Sequence, residues 1–342
     1  MDNLRRFLVV FSAMLVIAAA VCGIKLVRSY NSSNKDLVED LEVAAPTYDP
    51  SGQVVADNFR NNILVIVADD NRSESQLMFV VNVDSATNSL NFLFLPSELK
   101  FNIANGRTVG TFGSMYYSFA SGNAANCAST VASFFDIDIN YYLRLTTEDA
   151  AKLIGSFCSA DVAGSRGVLF DIPVDVYYRD YDNGVIIDYK KGQYYLNGED
   201  AVKYLSFYRT EDDNYSKEML YYYDGTDSKR LFVVQKFFEA FISQKFLQPT
   251  TDFYIRSFQE LMQPFVQNGE SNLTESVLKR IGTILGETST PRIGYFIPLG
   301  DLTFNDRIYL SYNGFIRNMQ LDENISPSTA ADVLGSRFKT VF

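Results

Sequence analysis

The sequence predicts an α/β protein, a domain with αβα layers that follows a single N-terminal transmembrane helix. The first observation is that short apolar runs, such as Ile63–Val67, alternate with helical segments along the chain, as in a sheet covered by helices on both faces. The second is a long uncharged apolar stretch near the N-terminus. The third is the overall composition, because 47% hydrophobic and 21% charged residues are typical of a folded globular domain.

Residues 7–27 are predicted to form the transmembrane helix, after a cytoplasmic tail of residues 1–6. The stretch is uncharged as far as Ile24, and its length meets the roughly 20 residues that cross a bilayer. Basic residues lie on both sides of it, but a short basic tail before one span favours a cytoplasmic N-terminus and an extracytoplasmic main domain. The alternative is a cleaved signal peptide, although the apolar run is long for one. Residues 28–59 are polar and are predicted to be a linker.

Residues 60–246 are predicted to form the main domain, in which strands and helices alternate. Its strands are short runs rich in apolar and β-branched residues, and Thr146-Thr147-Glu148-Asp149 resembles a capping box that opens a helix. The predicted strands are Ile63–Val67, Leu77–Val83, Leu90–Leu95, Tyr141–Leu145, Val168–Ile172 and Val185–Tyr189. The predicted helices are Ala124–Phe135, 146–155, Glu199–Leu205 and Ser228–Phe246.

Residues 247–342 are predicted to be an extension that packs on the main domain, because they bring no obvious core of their own. Two helical stretches, Phe253–Val266 and Leu273–Leu285, come first. Tyr295–Leu299 and Arg307–Asn313 then have the pattern of strands or loops.

Composition narrows the functions that the chain can have. The net charge is −11 and the isoelectric point is near 4.6, which argues against a broad basic surface for nucleic acid. The chain contains no His, so histidine-based catalytic triads and histidine zinc sites are excluded. Chemistry must therefore use Asp, Glu, Arg, Lys, Tyr or Ser. An anionic ligand would need a local arginine cluster or a bound cation to offset the field of the protein.

The three cysteines form neither a CxxC pair nor a metal-ligand pattern. Cys22 lies within the apolar N-terminal stretch. Cys127 and Cys158 would either form a disulfide in an oxidising compartment or remain two buried thiols. The second interpretation is the favoured one.

A group of charged residues follows the first predicted strand. Asp69, Arg72 and Glu74 lie directly after it, and ligands of open α/β sheets bind beyond the carboxyl ends of the strands. Asp69 and Glu74 flank a short loop, so both carboxylates could hold one hard cation such as Mg²⁺. Such a cation would bridge phosphate oxygens. On these residues alone, however, a solvated acidic loop is the favoured interpretation.

Two further candidates for anion binding lie near helix ends. Arg209 follows a short predicted helix, and Arg230 lies at the start of the long one, where its side chain could bind a phosphate together with the unpaired helix amides. Gln235 is less than two turns further along. The alternative is that both arginines are ordinary surface residues.

Several motifs of the chain occur in an order typical of one protein family. They are Asn62–Asp69, a buried strand with a terminal Asp; Ser73-Glu74-Ser75; Leu95-Pro96; Ile137–Leu145; Gly167–Pro173; and Leu196–Ala201. In this order they resemble the LytR–CpsA–Psr (LCP) family of bacterial cell-envelope proteins, over roughly residues 60–325. Each motif by itself is weak, and the ordered set carries the resemblance.

The resemblance implies a function. Proteins of this family transfer a glycopolymer, such as teichoic acid or capsule, from a polyprenyl-pyrophosphate lipid to peptidoglycan. It implies that Asp69 and Glu74 hold Mg²⁺ and act in catalysis together with Arg230. It also implies that Arg72, Arg209, Arg230 and Gln235 contact the pyrophosphate, and that an apolar pocket receives the lipid tail.

The chain departs from the family pattern at several arginines. The family's arginines fall here on Ser97, Ser206, Tyr208 and Val233. Because arginine–phosphate contacts are strong charge-assisted ones, their loss weakens the stabilisation on which a transfer reaction relies. The alternative function is therefore a catalytically degenerate relative that binds polyprenyl lipid, wall polymer or a partner enzyme.

Overall fold

The structure of the chain is a computed structural model. It describes residues 59–103, 108–119, 123–159, 167–180, 185–210, 213–246, 270–287, 290–304 and 307–339. The predicted transmembrane helix, most of the predicted linker and the predicted helix Phe253–Val266 lie outside these ranges. Within them, no helix combines the length and the apolar character that crossing a membrane requires.

The order of strands and helices agrees with the predicted alternation. The strands are β1 Arg60–Val67, β2 Leu77–Asp84, β3 Ser89–Phe94, β4 Lys100–Ile103, β5 Thr108–Thr111, β6 Tyr141–Leu145, β7 Val168–Ile172, β8 Val176–Asp180, β9 Val185–Tyr189, β10 Gly192–Leu196, β11 Arg292–Phe304, β12 Ile308–Asn318 and β13 Glu323–Ile325. The helices are α1 Phe112–Met115, α2 Asn123–Phe135, α3 Thr147–Ser159, α4 Gly198–Leu205, α5 Asp227–Phe241, α6 Glu275–Glu287 and α7 Pro327–Phe338. A short π-helix, Ile242–Phe246, continues α5.

The main sheet has the strand order β13-β12-β11-β3-β2-β1-β6. Strand β1 pairs antiparallel with β2 and parallel with β6. The run Ile63–Val67 within it is apolar without interruption because both faces of the sheet are covered: Leu64 and Ile66 pack on one face, and Ile63 packs on the other. The C-terminal ends of β1 and β6 therefore meet at one edge, which is where Asp69 begins the next loop.

Helices cover both faces, so the predicted αβα layering is confirmed. Helices α2 and α7 pack on the face formed by Leu64 and Ile66. Helices α3, α5 and α6 pack on the opposite face. The predicted capping box at the start of α3 is also present, since the Asp149 carboxylate accepts from the Thr146 amide at 3.2 Å and the Thr146 hydroxyl accepts from the Asp149 amide at 3.1 Å.

The C-terminal region contributes to the main sheet itself. Strand β11 pairs in parallel with β3, so that Phe296 lies opposite Leu93, and β12 and β13 extend the sheet beyond it. Tyr295, Phe296 and Ile297 are all buried, as expected for a strand with both faces covered. The boundary at residue 246 stays a prediction, but these strands are part of the domain and not an extension packed on its outside.

A smaller cluster lies beside the main sheet. Strands β7 and β10 form one two-stranded sheet and β8 and β9 form another, and both pack with α4 and α5 around the buried ring of Tyr204. In β7, buried and exposed residues alternate, so only one face of this strand is covered.

The two described cysteines are buried thiols with no disulfide between them, which confirms the favoured interpretation. Cys127 lies in the cluster under α2, whereas Cys158 lies in the cluster around Tyr204. Burial raises the pKa of the Cys127 thiol to about 12, so this thiol is not a reactive nucleophile at neutral pH.

Candidate functional site at the edge of the sheet

An apolar cavity of about 250 Å³ lies between the main sheet and helices α3 and α5. Its walls are almost entirely apolar side chains, including Val65, Val67, Phe79, Leu145, Leu153, Phe157, Val234, Phe237 and Phe241. Four polar residues also line it: Gln76, Thr147, Ser206 and Arg230. These four come from the edge where β1 and β6 end and from the neighbouring helix ends, so the cavity has a polar mouth there. Its shape and chemistry suit an apolar chain with a polar head.

Asp69 is held in a defined position beside this mouth. Its carboxylate accepts from the Thr147 amide at 2.8 Å and from the Thr147 hydroxyl at 2.9 Å and 3.0 Å. Thr147 is the first residue of α3, where the helix dipole stabilises a negative charge. The Arg72 guanidinium lies 3.5 Å from the same carboxylate. Asp69 and Arg72 thus lie together, and their predicted roles as metal ligand and pyrophosphate contact stay predictions.

Glu74 lies in the exposed part of this loop. Its carboxylate is 3.5 Å from the guanidinium of Arg307, and both side chains are about half exposed or more. Among the described residues, no group of three or more His, Cys, Asp or Glu side chains could hold a metal ion. Mg²⁺ is commonly bound by only one or two carboxylates together with substrate phosphates and water. The donor set of Asp69 and Glu74 therefore fits this ion only with phosphate oxygens as further ligands.

Arg230 is buried at the mouth, and its guanidinium is already hydrogen-bonded on all three nitrogens. Nε donates to the Asp227 carboxylate, Nη1 to the Leu205 carbonyl and Nη2 to the Gln76 carbonyl, each at 2.6 Å. These contacts join the start of α5 to the end of α4 and to the residue before β2. In this arrangement Arg230 supports the wall of the mouth, and its assignment as a catalytic, pyrophosphate-binding residue stays a prediction.

The amides at the start of α5 are occupied by side chains of the protein. The Glu98 carboxylate accepts from the Ser228 amide at 2.7 Å, and the Thr226 hydroxyl accepts from the Lys229 amide at 3.2 Å. The helix start that the sequence suggested as a phosphate site is thus capped by a carboxylate and a hydroxyl.

The remaining predicted residues are in different environments. Arg209 is exposed, and its guanidinium lies 5.4 Å from the centre of the Tyr208 ring. Gln235 is fully buried within α5, and neither its amide nitrogen nor its amide oxygen has a hydrogen-bond partner. Arg209 can meet a ligand from solvent, whereas Gln235 is not brought to the surface of the site.

Sequence reasoning missed a second buried arginine near the same edge. Arg144 in β6 donates to the Asp70 carboxylate at 2.6 Å and lies over the Tyr116 ring at 5.4 Å. The Tyr117 hydroxyl donates to the Asp69 carbonyl at 2.7 Å and so stabilises the same loop. The signal was present in the sequence, because Arg144 is the one charged residue in the otherwise uncharged strand Tyr141–Leu145.

A model of the LytR_cpsA_psr family matches residues 24–295. The chain belongs to this family. The Bacillus subtilis (strain 168) protein called polyisoprenyl-teichoic acid–peptidoglycan teichoic acid transferase TagV is 24% identical over an alignment of 217 residues, which covers 59% of this chain and 50% of that protein. The match therefore spans half the length of this relative.

Solved structures show the same fold. The crystal structure of B. subtilis TagV has a TM-score of 0.59 at 16% identity, and the match covers 83% of this chain and 100% of that one. A structure of TagT bound to LI-WTA has a TM-score of 0.54 at 16% identity, with 85% of this chain and 93% of that chain covered. The mixed α/β fold with a central sheet is thus the fold of LCP proteins.

The positions where this LCP protein lacks the family's arginines now have a structural description. The Ser97 amide donates to the Asp227 carboxylate at 2.7 Å, and Ser206 lines the apolar cavity. Val233 is buried on the face of α5 that packs on the smaller cluster. The exposed cations around the mouth are instead Arg72, Arg209 and Arg307.

Glu98 should make the stability of this LCP protein depend on pH. Burial, and then the nearby Asp227 carboxylate, raise the pKa of Glu98 from 4.5 to about 7. Because the pKa of this carboxyl is higher in the folded protein than in the unfolded chain, its protonated form stabilises the fold. This contribution is present in full below about pH 4.5 and is lost as the pH rises through about 7. We expect Glu98→Gln, which stays neutral, to remove this part of the decline in melting temperature.

The measurement is the melting temperature of both proteins across this pH range. Glu74→Gln removes an exposed carboxylate and is the control, for which the pH profile should match that of the unchanged protein. Identical profiles for the unchanged protein and Glu98→Gln would show that Glu98 titrates in the ordinary acidic range.

Proposed function

We propose that the protein transfers a glycopolymer from a polyprenyl-pyrophosphate carrier to peptidoglycan, and so takes part in the assembly of cell wall, capsule or teichoic acid. The observation that carries this proposal is the apolar cavity whose polar mouth lies beside Asp69. The name of the relative TagV describes a transferase that moves teichoic acid from a polyisoprenyl carrier to peptidoglycan, and membership of the LCP family supports the same class of reaction.

The geometry suggests how the substrate would be held. The polyprenyl tail would lie in the cavity, where burial of each methylene group contributes about 0.8 kcal/mol, and its phosphates would stay at the polar mouth. Arg72 and Arg209 are exposed there and would neutralise the charge that develops on the departing polyprenyl phosphate. Thr147 orients the Asp69 carboxylate, which in turn positions the guanidinium of Arg72.

Magnesium is part of this proposal. Asp69 would be the fixed ligand, because its hydrogen bonds with Thr147 set the direction of its oxygens, as outer-shell partners commonly do for metal ligands. Glu74 would be the second ligand once it leaves Arg307. The ion would neutralise the negative charge of the phosphate oxygens.

Replacement of Asp69 by Asn should separate this proposal from a solvated acidic loop. We expect transfer of lipid-linked polymer to purified peptidoglycan to fall by about 10–100-fold. We also expect the rise in melting temperature caused by magnesium and a polyprenyl phosphate to disappear, because ligands that bind only the folded state stabilise it. Asp175→Asn, which removes an exposed carboxylate paired with Lys190, is the control. Full transfer by Asp69→Asn would contradict the proposed role.

The second candidate function is a degenerate LCP protein that binds polyprenyl lipid, wall polymer or a partner enzyme without catalysis. Two observations favour it: all three guanidinium nitrogens of Arg230 are engaged within the protein, and Gln235 is fully buried. The same assay distinguishes the two functions. Lipid binding without any transfer by the unchanged protein would support the degenerate form.

We infer that residues 7–27 anchor the protein as one span, with the N-terminus inside and the main domain outside the cytoplasmic membrane. The uncharged stretch and the basic tail before it support this inference. A C-terminal reporter that works only outside the cytoplasm should be active, and activity of a cytoplasmic reporter would contradict the orientation.

A further inference from the structure

A second cavity, of about 590 Å³, lies on a different face of α5 from the apolar cavity at the edge of the sheet. We call it the α5 groove. One wall is a stripe along the helix, and the other comes from β7, the turn after Met219 and the end of β12. Its lining includes Asp171, Tyr221, Tyr222, Lys229, Phe232 and Arg317. Its volume lies within the roughly 300–1,000 Å³ typical of ligand sites.

The two main walls of the α5 groove are tied together. Gln244, in the π-helix that continues α5, accepts from the Leu169 amide and donates to the Leu169 carbonyl, both at 2.9 Å. The side-chain amide thus pairs with β7 as a neighbouring strand would. The groove is therefore bordered by elements that are hydrogen-bonded to each other, and its width is set by the fold.

Charged side chains of both signs line the groove, in a protein whose net charge is −11: the cations Lys229, Lys236 and Arg317 and the carboxylates Asp171 and Asp322. Lys229 is half-buried, and within the described parts of the chain no carboxylate lies within ion-pair distance of it. Arg317 lies over the Phe232 ring at 5.4 Å and pairs with Asp322, while its buried Nε has no acceptor. Lys229 therefore has ammonium donors that a ligand rich in oxygen atoms can engage.

Aromatic rings stand beside these charges. Tyr221 is 73% exposed, and Tyr222 is half-buried next to it. Aromatic faces pack against the apolar C–H faces of sugar rings, while charged side chains of both signs donate to and accept from sugar hydroxyls. The mixture of rings, cations and the Asp171 carboxylate suits a carbohydrate, whereas a lipid tail would leave the charges without partners.

We propose that the α5 groove binds a linear glycan chain. Helix α5 separates the groove from the apolar cavity, since Arg230 and Val234 line that cavity and Lys229 and Val233 line the groove. A glycan in the groove would therefore lie along the same helix that borders the mouth. The proposal concerns binding alone and stands whether or not the chain transfers glycopolymer.

Two oligosaccharides test the proposal by calorimetry on the full-length protein in detergent. One is chitohexaose, a neutral oligomer of N-acetylglucosamine, and the other is a hyaluronan fragment of similar length that carries uronic acids. We expect binding of at least one of them. Tyr221→Ala and Lys229→Gln should each weaken that binding by about tenfold. Tyr221 is exposed and Lys229→Gln keeps the side-chain stem, so both variants should remain folded.

The control lies outside the α5 groove. Phe304→Ala removes another exposed aromatic side chain and should not alter the affinity. Binding of the neutral oligomer would identify a groove for a wall-type glycan, and binding of hyaluronan alone would identify one for an anionic polymer. Binding of neither, or equal affinities in the groove variants and the unchanged protein, would overturn the proposal.

Discussion

Replacement of Arg230 by Met is expected to lower the free energy of unfolding by about 3–5 kcal/mol. The side chains of Arg230 and Asp227 are only 6% and 8% exposed, and their charged atoms are 2.6 Å apart. Loss of the cation would leave a buried carboxylate without its partner, and the Leu205 and Gln76 carbonyls would each lose a donor. The cost of such unpaired buried groups exceeds the net value of the pair itself. Chemical denaturation monitored by circular dichroism measures the change.

The same helix provides a matched control. Lys236 and Glu239 form an ion pair at the same i,i+3 spacing, but Lys236 is 59% exposed, so Lys236→Met should cost less than about 1 kcal/mol. The double variant Asp227→Asn/Arg230→Met removes both charges and should recover part of the lost stability. If Arg230→Met instead keeps full stability and loses only affinity for lipid pyrophosphate, Arg230 is the ligand that the family resemblance implies.

Replacement of Val234 by Phe is expected to reduce the affinity for a polyprenyl phosphate by about tenfold or more. Val234 lines the apolar cavity, so the larger ring would occupy space that the lipid tail needs. Displacement of only two methylene groups would cost about 1.6 kcal/mol, which is about tenfold in affinity. The added ring fills an existing cavity, so the melting temperature should not fall. Binding of a fluorescent polyprenyl phosphate to the detergent-solubilised protein measures the affinity.

Val233→Phe is the control, because Val233 has the same side chain and is the adjacent residue, but faces the α5 groove. The added ring would lie on the groove side of α5 and outside the apolar cavity, so the lipid affinity is expected to be unchanged. Equal lipid affinities for Val234→Phe and the unchanged protein would mean that the tail binds elsewhere.

Local patterns predicted the fold well where the relevant neighbours are near in sequence. The apolar run Ile63–Val67 lies within strand β1, and the capping box at Thr146 opens α3 as predicted. The pattern of the C-terminal region was less informative. Tyr295–Leu299 could be recognised as a strand or loop, but its place beside β3 depends on a pairing across about 200 residues, which no local pattern encodes.

The candidate site was predictable only in part. Asp69 and Arg72 lie three residues apart, and the structure keeps them together. Arg230 was recognisable as a residue at a helix start, but not as an arginine whose three nitrogens each donate to another part of the protein. Arg144 was overlooked because its partners, Asp70 and Tyr116, come from other segments.

The sequence by itself determined the family, the alternation of strands and helices, the loop that carries Asp69 and the absence of histidine chemistry. These properties depend on residue identity and on spacing within short segments. Only the tertiary structure decided that a cavity borders this loop, that Gln235 is buried without partners and that a second groove lies along α5. The physical reason is that burial and hydrogen bonding are set by residues far apart in the chain. Arg230, for example, donates to a carbonyl of Gln76, 154 positions earlier.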